Sequence, residues 1–403
     1  MNYTIIAPPN GSEAQLRSQK VLFPFEEAVL GFIDSLSTHI LTDKQYRRYP
    51  ELMAMAFWMR KPNILQLKTK FESHRGNRVW LGRGVVLHIA PSNVDTIFIY
   101  SWFLSMLVGN INIVRLSSNT DEQLLALIHA INTIAEKPEY NRIAARFLIV
   151  QYEHNDETTA HLSSLCDVRV IWGGDETVRR IRAVPLKPTA TELVFADKFS
   201  MSVLAAESFL TLEQKDPLIN SFFNDAYWFG QNACSSPRLI VWLGSADKVE
   251  TARVQFWALV EQKVREKLGV APPSVAVNKL VAIDSLVVHA SGETRIESSR
   301  TTLLDRVMLA QASDVRRDLH CGGGLFYELR ITKLEELAAV ISPKDQTVGS
   351  FGVSAEDWRN FIVTRRPEGI NRVVPIGEAL NFSAVWDGYD LLREFCREVD
   401  VAI

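Results

Sequence analysis

The stretch Gly84-Val-Val-Leu-His-Ile-Ala90, then Pro91-Ser-Asn93, then an apolar run Val94–Val108, then Gly109-Asn110 and Ile111-Asn-Ile-Val-Arg-Leu116, carries the fold. It reads as a buried strand, a turn, a buried helix and a second buried strand. A strand that is apolar at nearly every position is covered on both faces, as in a parallel sheet. The pattern continues outward. Residues 147–151 read as a third strand, 156–165 as a helix and 168–172 as a fourth strand, with Gly173-Gly174-Asp175 opening another helix. Thr120 and Gln123 fit a capping box, in which each side chain satisfies an N–H at the helix start. The helix behind them sets Leu124, Ile128 and Ile131 on one stripe, with Leu125 and Ile134 beside it. Strands alternating with helices in short units predict a parallel α/β sheet, with ligands bound at the carboxyl ends of the strands.

A second α/β unit follows. Residues 202–206 read as a strand, 213–230 as a helix with Leu218, Phe222 and Ala226 on one face, 239–243 as a strand and 248–268 as a long helix. Pro272-Pro273 breaks the pattern. Upstream, 25–40 and 49–60 read as helices. The division expected is residues 1–199 (an N-terminal helical segment and a cofactor-binding domain), 200–365 (a domain bearing the cysteine) and 366–403. The last segment would pack back on the first domain or form an oligomer contact.

Composition narrows the function. The chain has 403 residues, 47% of them hydrophobic and 23% charged, enough for large cores. A formal net charge of −3 gives no general surface for nucleic acid or anionic membrane. Four cysteines with no C-x-x-C pair argue against a zinc ribbon or redox dithiol and for a reducing, cytoplasmic setting. The run 94–108 is short for a membrane span of roughly 20 residues, and the N-terminus lacks a signal-peptide pattern. No metal site is expected. Phosphate-loop, H-E-x-x-H, G-x-S-x-G and G-x-G-x-x-G signatures are absent.

Four local patterns could carry chemistry. In Phe229-Gly-Gln-Asn-Ala-Cys234-Ser-Ser-Pro-Arg238 a helix ends, a cysteine sits among small residues and a strand follows. Small neighbours leave a thiol reachable. Only a few per cent of an ordinary thiol, with a pKa of about 8.5, is ionised at neutral pH, so a nearby cation or N–H groups would be needed. The alternative is a buried, inert cysteine. Asn93 could aim its amide at a developing oxyanion, a contact worth about 2.7–4 kcal/mol of barrier, or simply close an Asx turn. Arg115 and Ser117 end a strand with a cation and a hydroxyl suited to ribose or phosphate, or Arg115 is an ordinary solvated arginine. Gly173 and Gly174 would let a pyrophosphate reach a helix N-terminus, or form a tight turn.

Taken in order, Pro91-Ser-Asn93, Gly109-Asn110, Arg115-Leu-Ser117, Gly173-Gly174, Gly230-Gln231 and Cys234 resemble the aldehyde dehydrogenase superfamily. Asn93-Val-Asp-Thr, Tyr100-Ser-Trp102, Val114-Arg-Leu-Ser117, Asp197-Lys-Phe-Ser200, Ala233-Cys-Ser-Ser-Pro-Arg238 and Val374-Pro-Ile-Gly377 through Val385-Trp-Asp-Gly-Tyr389 resemble, more narrowly, the LuxC-type acyl-CoA reductases. That resemblance implies two Rossmann-like α/β domains, with a small oligomerisation element and a homo-oligomer. It implies reduction of an acyl thioester, such as a long-chain fatty acyl-CoA, to a fatty aldehyde. Cys234 would be the nucleophile, and Asn93 with the Cys234 N–H would hold the oxyanion. The cofactor would be NADPH, with NADH as the alternative. Ala90, Pro91, Ser92, Arg115, Ser117, Gly173, Gly174 and Glu328 would line its site. The acyl donor would be a coenzyme A ester or an acyl-protein, with an acyl-protein synthetase as a partner. Two departures stand out. Cys234 lies three residues after Gln231, one more than in G-Q-x-C. The glutamate that hydrolyses the acyl-enzyme in many superfamily members has no counterpart: aligned on Lys198, its position holds Val194, not Glu192. Cys321 is the rival nucleophile. The competing functions are an acyltransferase or thioesterase using Cys234 without hydride transfer, and a non-catalytic scaffold subunit.

Overall fold

A computed structural model of the chain describes residues 3–75, 78–90, 97–118, 121–153, 155–299 and 302–402. The chain divides into two compact units, Met1–Ala196 with Phe382–Ile403, and Asp197–Asn381.

In the first unit the strands before the crossover to the second are Thr4–Ala7 (β1), Val79–Gly82 (β2), Val85–Ile89 (β3), Ile111–Leu116 (β4), Phe147–Gln151 (β5), Val168–Trp172 (β6) and Thr191–Phe195 (β7). Six form one sheet in the order β1-β5-β4-β3-β6-β7. All neighbours run parallel except β1, which pairs antiparallel with β5. Every residue of β4 and of β6 is buried, as strands covered on both faces must be. The chain winds one way from β3 through β4 to β5 and the other way from β3 to β6 and β7. The carboxyl ends of β3, β4, β5 and β6 therefore meet at a topological switch point, where α/β sheets bind ligands. The helices Ile97–Leu107, Glu122–Ala135, Asp156–Leu165 and Asp175–Arg182 alternate with these strands.

Thr120 lies outside the described residues, and the cap is Asp121, whose Oδ1 accepts the Leu124 N–H at 2.7 Å. Gln123 instead donates to Glu51 Oε2 at 2.8 Å, a partner from a distant helix. Leu125 is 57% exposed, off the stripe on which Leu124, Ile128, Ile131 and Ile134 are buried. Residues 382–402 return to this unit. Phe382 stacks on Tyr100 at 3.9 Å, and Cys396–Val399 pairs antiparallel with β2.

The second unit contains Phe199–Ala205 (β8), Pro237–Leu243 (β9), Thr294–Ser298 (β10), Asp305–Leu309 (β11), Leu325–Ile331 (β12), Asp345–Phe351 (β13) and Arg372–Pro375 (β14). They form a seven-stranded sheet, β10-β11-β12-β9-β8-β13-β14, parallel apart from β10. Because β14 pairs with β13, the chain leaves this unit only after Asn381, not at 366. Alternate residues feed two cores. Val203, Val241 and Tyr327 face one cluster, whereas Leu204, Trp242 and Phe326 face the other with the helices Asp216–Tyr227 and Ala246–Lys267. The preceding helix ends at Lys267, and Pro272-Pro273 instead opens another, Pro273–His289, because proline at the first helical position has no N–H to leave orphaned.

Candidate active site

Cys234 lies in the turn between the helix Asp216–Tyr227 and β9, and it is half-buried. The turn is pinned from beneath. Gly230 and Gln231 both take left-handed backbone conformations, φ 56° and 65°. For a glutamine this conformation costs roughly 1–2 kcal/mol. Its side chain, fully buried, supplies the compensation: Nε2 donates to the Pro237 carbonyl at 2.9 Å and to the Leu325 carbonyl at 2.8 Å, while Oε1 accepts the Gly324 N–H at 2.9 Å. Ser200, buried in β8, donates to the Cys234 carbonyl at 2.7 Å and accepts the Thr347 N–H at 3.2 Å. The backbone of the thiol is thus held to β8, β9 and β12 of one sheet.

Against this turn packs a second one, Gly322-Gly323-Gly324, whose three residues have φ of 74°, 67° and 82°. Gly323 N–H donates to the Gly230 carbonyl at 3.2 Å. Side chains are excluded here: a Cβ at Gly324 would collide with the Leu303 carbonyl. Cys321 precedes the turn and is exposed. Its neighbour His320 is no general base. Nδ1 accepts the Gly322 N–H at 3.1 Å and Nε2 faces the Leu325 carbonyl at 2.9 Å, so the ring is neutral with its proton on Nε2. Burial, and then the Arg238 charge, hold its pKa down to about 3.

Arg238 is the cation of this site. Burial lowers its pKa, opposed by the charges of Asp197, Cys234 and Cys321. A nearby cation favours a thiolate, although at Cys321 burial outweighs the Lys279 and Arg238 charges and pushes the thiol up. Arg238 follows Cys234 by four residues, in view in the sequence, but its role needed the fold.

The first unit holds a separate cluster at its switch point. Arg115, at the end of β4, is buried, stacks over Tyr152 at 5.1 Å and donates to the Tyr152 carbonyl at 3.1 Å. It is not a solvated arginine. A small pocket there is lined by Arg115, Tyr152, Asn155, Thr159, Thr177 and Arg180, among others. Burial, more than the proximity of Arg180, lowers the Arg115 pKa. Two guanidiniums around one pocket suit an anion carrying more than one charge. Arg180, on the helix Asp175–Arg182, was not singled out from the sequence, because a lone arginine on an amphipathic helix carries no signal. Ala90 is buried, and its N–H donates to the Arg115 carbonyl at 3.1 Å. Ser117 follows β4, its carbonyl bound by Gln151 Nε2 at 2.8 Å. Gly174 caps the same helix without a side-chain bond, and a Cβ there would meet nothing within 4 Å. That space leaves the helix N–H groups approachable. Asp175 and Glu176 in its first turn oppose an anion, although Glu176 is ion-paired with Arg179. On balance these residues fit the phosphates of a nucleotide. Pro91, Ser92 and Asn93 lie outside the described residues.

Glu328 must be withdrawn from the cofactor site. It is fully buried in β12 and accepts N–H groups from Trp242 at 2.7 Å, Trp257 at 2.8 Å and Arg253 at 2.9 and 3.0 Å. Its oxygens are engaged in the core and do not face a ribose. Glu192 is held by Arg169 and by Arg182, the latter at 3.1 Å. Among the described residues no group of three or more acidic, histidine or cysteine side chains could hold a metal. No helix among them is long and apolar enough to cross a membrane.

A family model described as acyl-CoA reductase (LuxC) matches residues 58–281. No curated protein matches the chain. Solved structures do. A variant of proline utilization A from Bradyrhizobium japonicum aligns with a TM-score of 0.65 at 14% identity, over 96% of this chain and 44% of that one. The present chain thus spans less than half of that longer protein. Aldehyde dehydrogenase 21 from Physcomitrella patens, solved with the reaction product succinate, aligns with a TM-score of 0.63 at 10% identity, over 98% and 86%. An NAD-dependent benzaldehyde dehydrogenase from Corynebacterium glutamicum aligns with a TM-score of 0.62 at 13% identity, over 92% and 82%. The fold is that of the aldehyde dehydrogenases.

Proposed function

The chain belongs to the acyl-CoA reductase (LuxC) family, and from that premise we propose that it reduces an acyl thioester to an aldehyde through an acyl-cysteine on Cys234. The family and the fold imply a nicotinamide cofactor, and our reading is NADPH. The observation that carries the proposal is the Cys234 turn: a half-buried thiol on a backbone fastened to three strands, with Arg238 four residues on.

In this reading Arg238 raises the thiolate fraction of Cys234. The sulfur attacks the acyl carbonyl, a C–S bond forms, and the donor's thiolate leaves. Asn93 and the Cys234 N–H would steady the oxyanion, the role that the resemblance assigns to them. A reduced nicotinamide, held there when bound, would supply the hydride that the acyl carbon needs. Cys234 departs as thiolate when the aldehyde forms. Arg115, Arg180, Ser117 and the Gly173-Gly174 turn would hold the cofactor's phosphates and ribose. The ion-paired Glu192 supports the absence of a hydrolytic base, which protects the acyl-enzyme from water. Long-chain fatty acyl-CoA is the proposed substrate class, and an acyl-protein synthetase is a proposed partner.

Intact-protein mass spectrometry with an acyl-CoA series, with and without NADPH, tests this. The expected result is one acyl adduct, lost with aldehyde release when NADPH is added, and neither adduct nor aldehyde in Cys234→Ala. An adduct that forms but never oxidises NAD(P)H would assign an acyl transferase or thioesterase instead. No adduct at all would favour a scaffold subunit.

A further inference from the structure

The formal net charge of −3 conceals a segregation. Residues 44–78 carry nine lysines and arginines against two carboxylates, Glu51 and Glu72, so the rest of the chain holds the excess of acid. Two of these cations are paired with distant carboxylates, Arg48 with Glu122 and Arg78 with Glu398. Arg60, Lys61 and Lys68 are in no ion pair among the described residues.

Those three lie where two helices meet. Only Met59 and Arg60 separate the helix Pro50–Trp58 from the helix Lys61–Arg75. The corner is tied by its own side chains. Asn63 Nδ2 donates to the carbonyls of Phe57 at 3.0 Å and Trp58 at 3.2 Å, and Arg60 Nε donates to the Phe57 carbonyl at 3.3 Å. These bonds satisfy helix-end carbonyls that would otherwise lack a partner. The Phe57 ring stays outside: it is 54% exposed, with the Arg60 guanidinium 3.5 Å from its centre. The second helix turns Ile64 and Phe71 into the core. Lys61, Leu65 and Lys68 follow at intervals of four and three, so they share one flank of it. Leu65 is 41% exposed. Lys68 is half-buried, which suits a stem laid along the helix with its ammonium at the surface.

A single exposed hydrophobe is ordinary, and a run of charge is usually a solvated face. Here the two coincide, and the combination selects the partner. An acidic protein or a nucleic acid would answer the cations but would need a matching pocket for Phe57 and Leu65. An anionic bilayer needs none: its headgroups meet the cations, and aromatic and aliphatic side chains enter the headgroup layer. We propose that the corner formed by Phe57, Arg60, Lys61, Leu65 and Lys68 is a peripheral docking site for an anionic lipid surface. Binding is reversible, because each lysine near such a surface contributes only about fivefold to partitioning. The use of the contact rests on the proposed function, since a long-chain aldehyde leaves more readily into a bilayer than into water. The contact itself does not.

Co-sedimentation of the full chain with vesicles tests this. No acyl-CoA or cofactor is present, so its outcome is separate from that of the acylation assay. The expected result is binding to phosphatidylcholine mixed with phosphatidylglycerol, little to phosphatidylcholine alone, and release as salt is raised. Lys61→Gln with Lys68→Gln should lower the partition coefficient by about 25-fold, about fivefold for each charge. Phe57→Ser should lower it by roughly tenfold, the worth of a partly exposed ring leaving water. Lys267→Gln makes the same charge change on the second unit and should leave it unmoved. Phe57, Lys61 and Lys267 are exposed, so variants there should unfold at the parent's urea midpoint. Equal binding to both kinds of vesicle, binding to neither, or a loss in Lys267→Gln as large as in the Lys61 and Lys68 variant would overturn the proposal. Salt-sensitive binding to RNA without binding to vesicles would assign the corner to nucleic acid instead.

Discussion

Arg115 and Arg180 approach one pocket from a strand end and a helix, and Tyr152 feels the charge of both. Two guanidiniums beside one pocket make it strongly cationic, so the pocket suits a phosphate dianion better than a ribose hydroxyl. We expect Arg180→Ala to weaken NADPH by about 10- to 100-fold, the worth of a hydrogen bond to a charged group, and to leave NADH nearly unchanged. Titration calorimetry with both cofactors checks this. An equal loss for both would move Arg180 from the 2′-phosphate to the shared pyrophosphate. Arg115 was legible in the sequence because it ends an apolar strand. Arg180 was not, because nothing local separates it from Arg179 and Arg182 on the same helix.

At the scale of elements, the turn that presents Cys234 depends on Gln231. The side chain closes three backbone groups from β9, β12 and the glycine turn before β12. Gln231→Ala would remove the side-chain partner of the Gly324 N–H and of the Pro237 carbonyl in a buried site, while the Leu325 carbonyl keeps the His320 Nε2–H. We expect a loss on the order of 3 kcal/mol in urea unfolding, together with slower acylation of Cys234. A variant of unchanged stability would mean that water replaces the amide. Six parallel strands, β3 to β6, β8 and β9, were readable as apolar runs because both of their faces meet other elements. The parallel strands β7 and β11 to β14, the edge strands β1 and β10 and the helix Lys61–Arg75 were not read; β1, β10 and that helix follow no apolar period. Gln123, expected to bond back to its own helix start, has a partner 72 residues away for a related reason.

At the scale of the molecule, the second unit is closed by a contact 152 residues long in sequence. Asp225 accepts N–H bonds from Gly377 at 2.6 Å and Ala379 at 3.1 Å, just before the chain returns to the first unit. Burial raises its pKa to about 6 in spite of those bonds. A carboxyl whose folded pKa is raised favours folding most when protonated. Its contribution is full below the unfolded value of about 3.9 and is lost as the pH rises through about 6. Asp225→Asn should remove that slope. The stability of the variant relative to the parent should rise by on the order of 3 kcal/mol between pH 4 and pH 7, read from paired urea titrations. A difference that does not change with pH would show that Asp225 ionises normally.

The sequence alone determined the α/β class and the alternation that exposes strand ends as loops, and it put forward Cys234 and Arg115 as candidates. Each rests on a pattern within a few residues, because a strand buried on both faces must be apolar wherever it lies. Only the tertiary structure decided which polar residues work and which merely pack. Glu328 suited a ribose until Trp257 and Trp242, 71 and 86 residues away, were seen to hold it in the core. Gln231, Arg238 and Arg180 gained their roles the same way. A buried polar group is defined by the partners that satisfy it, and those partners are distant in the chain.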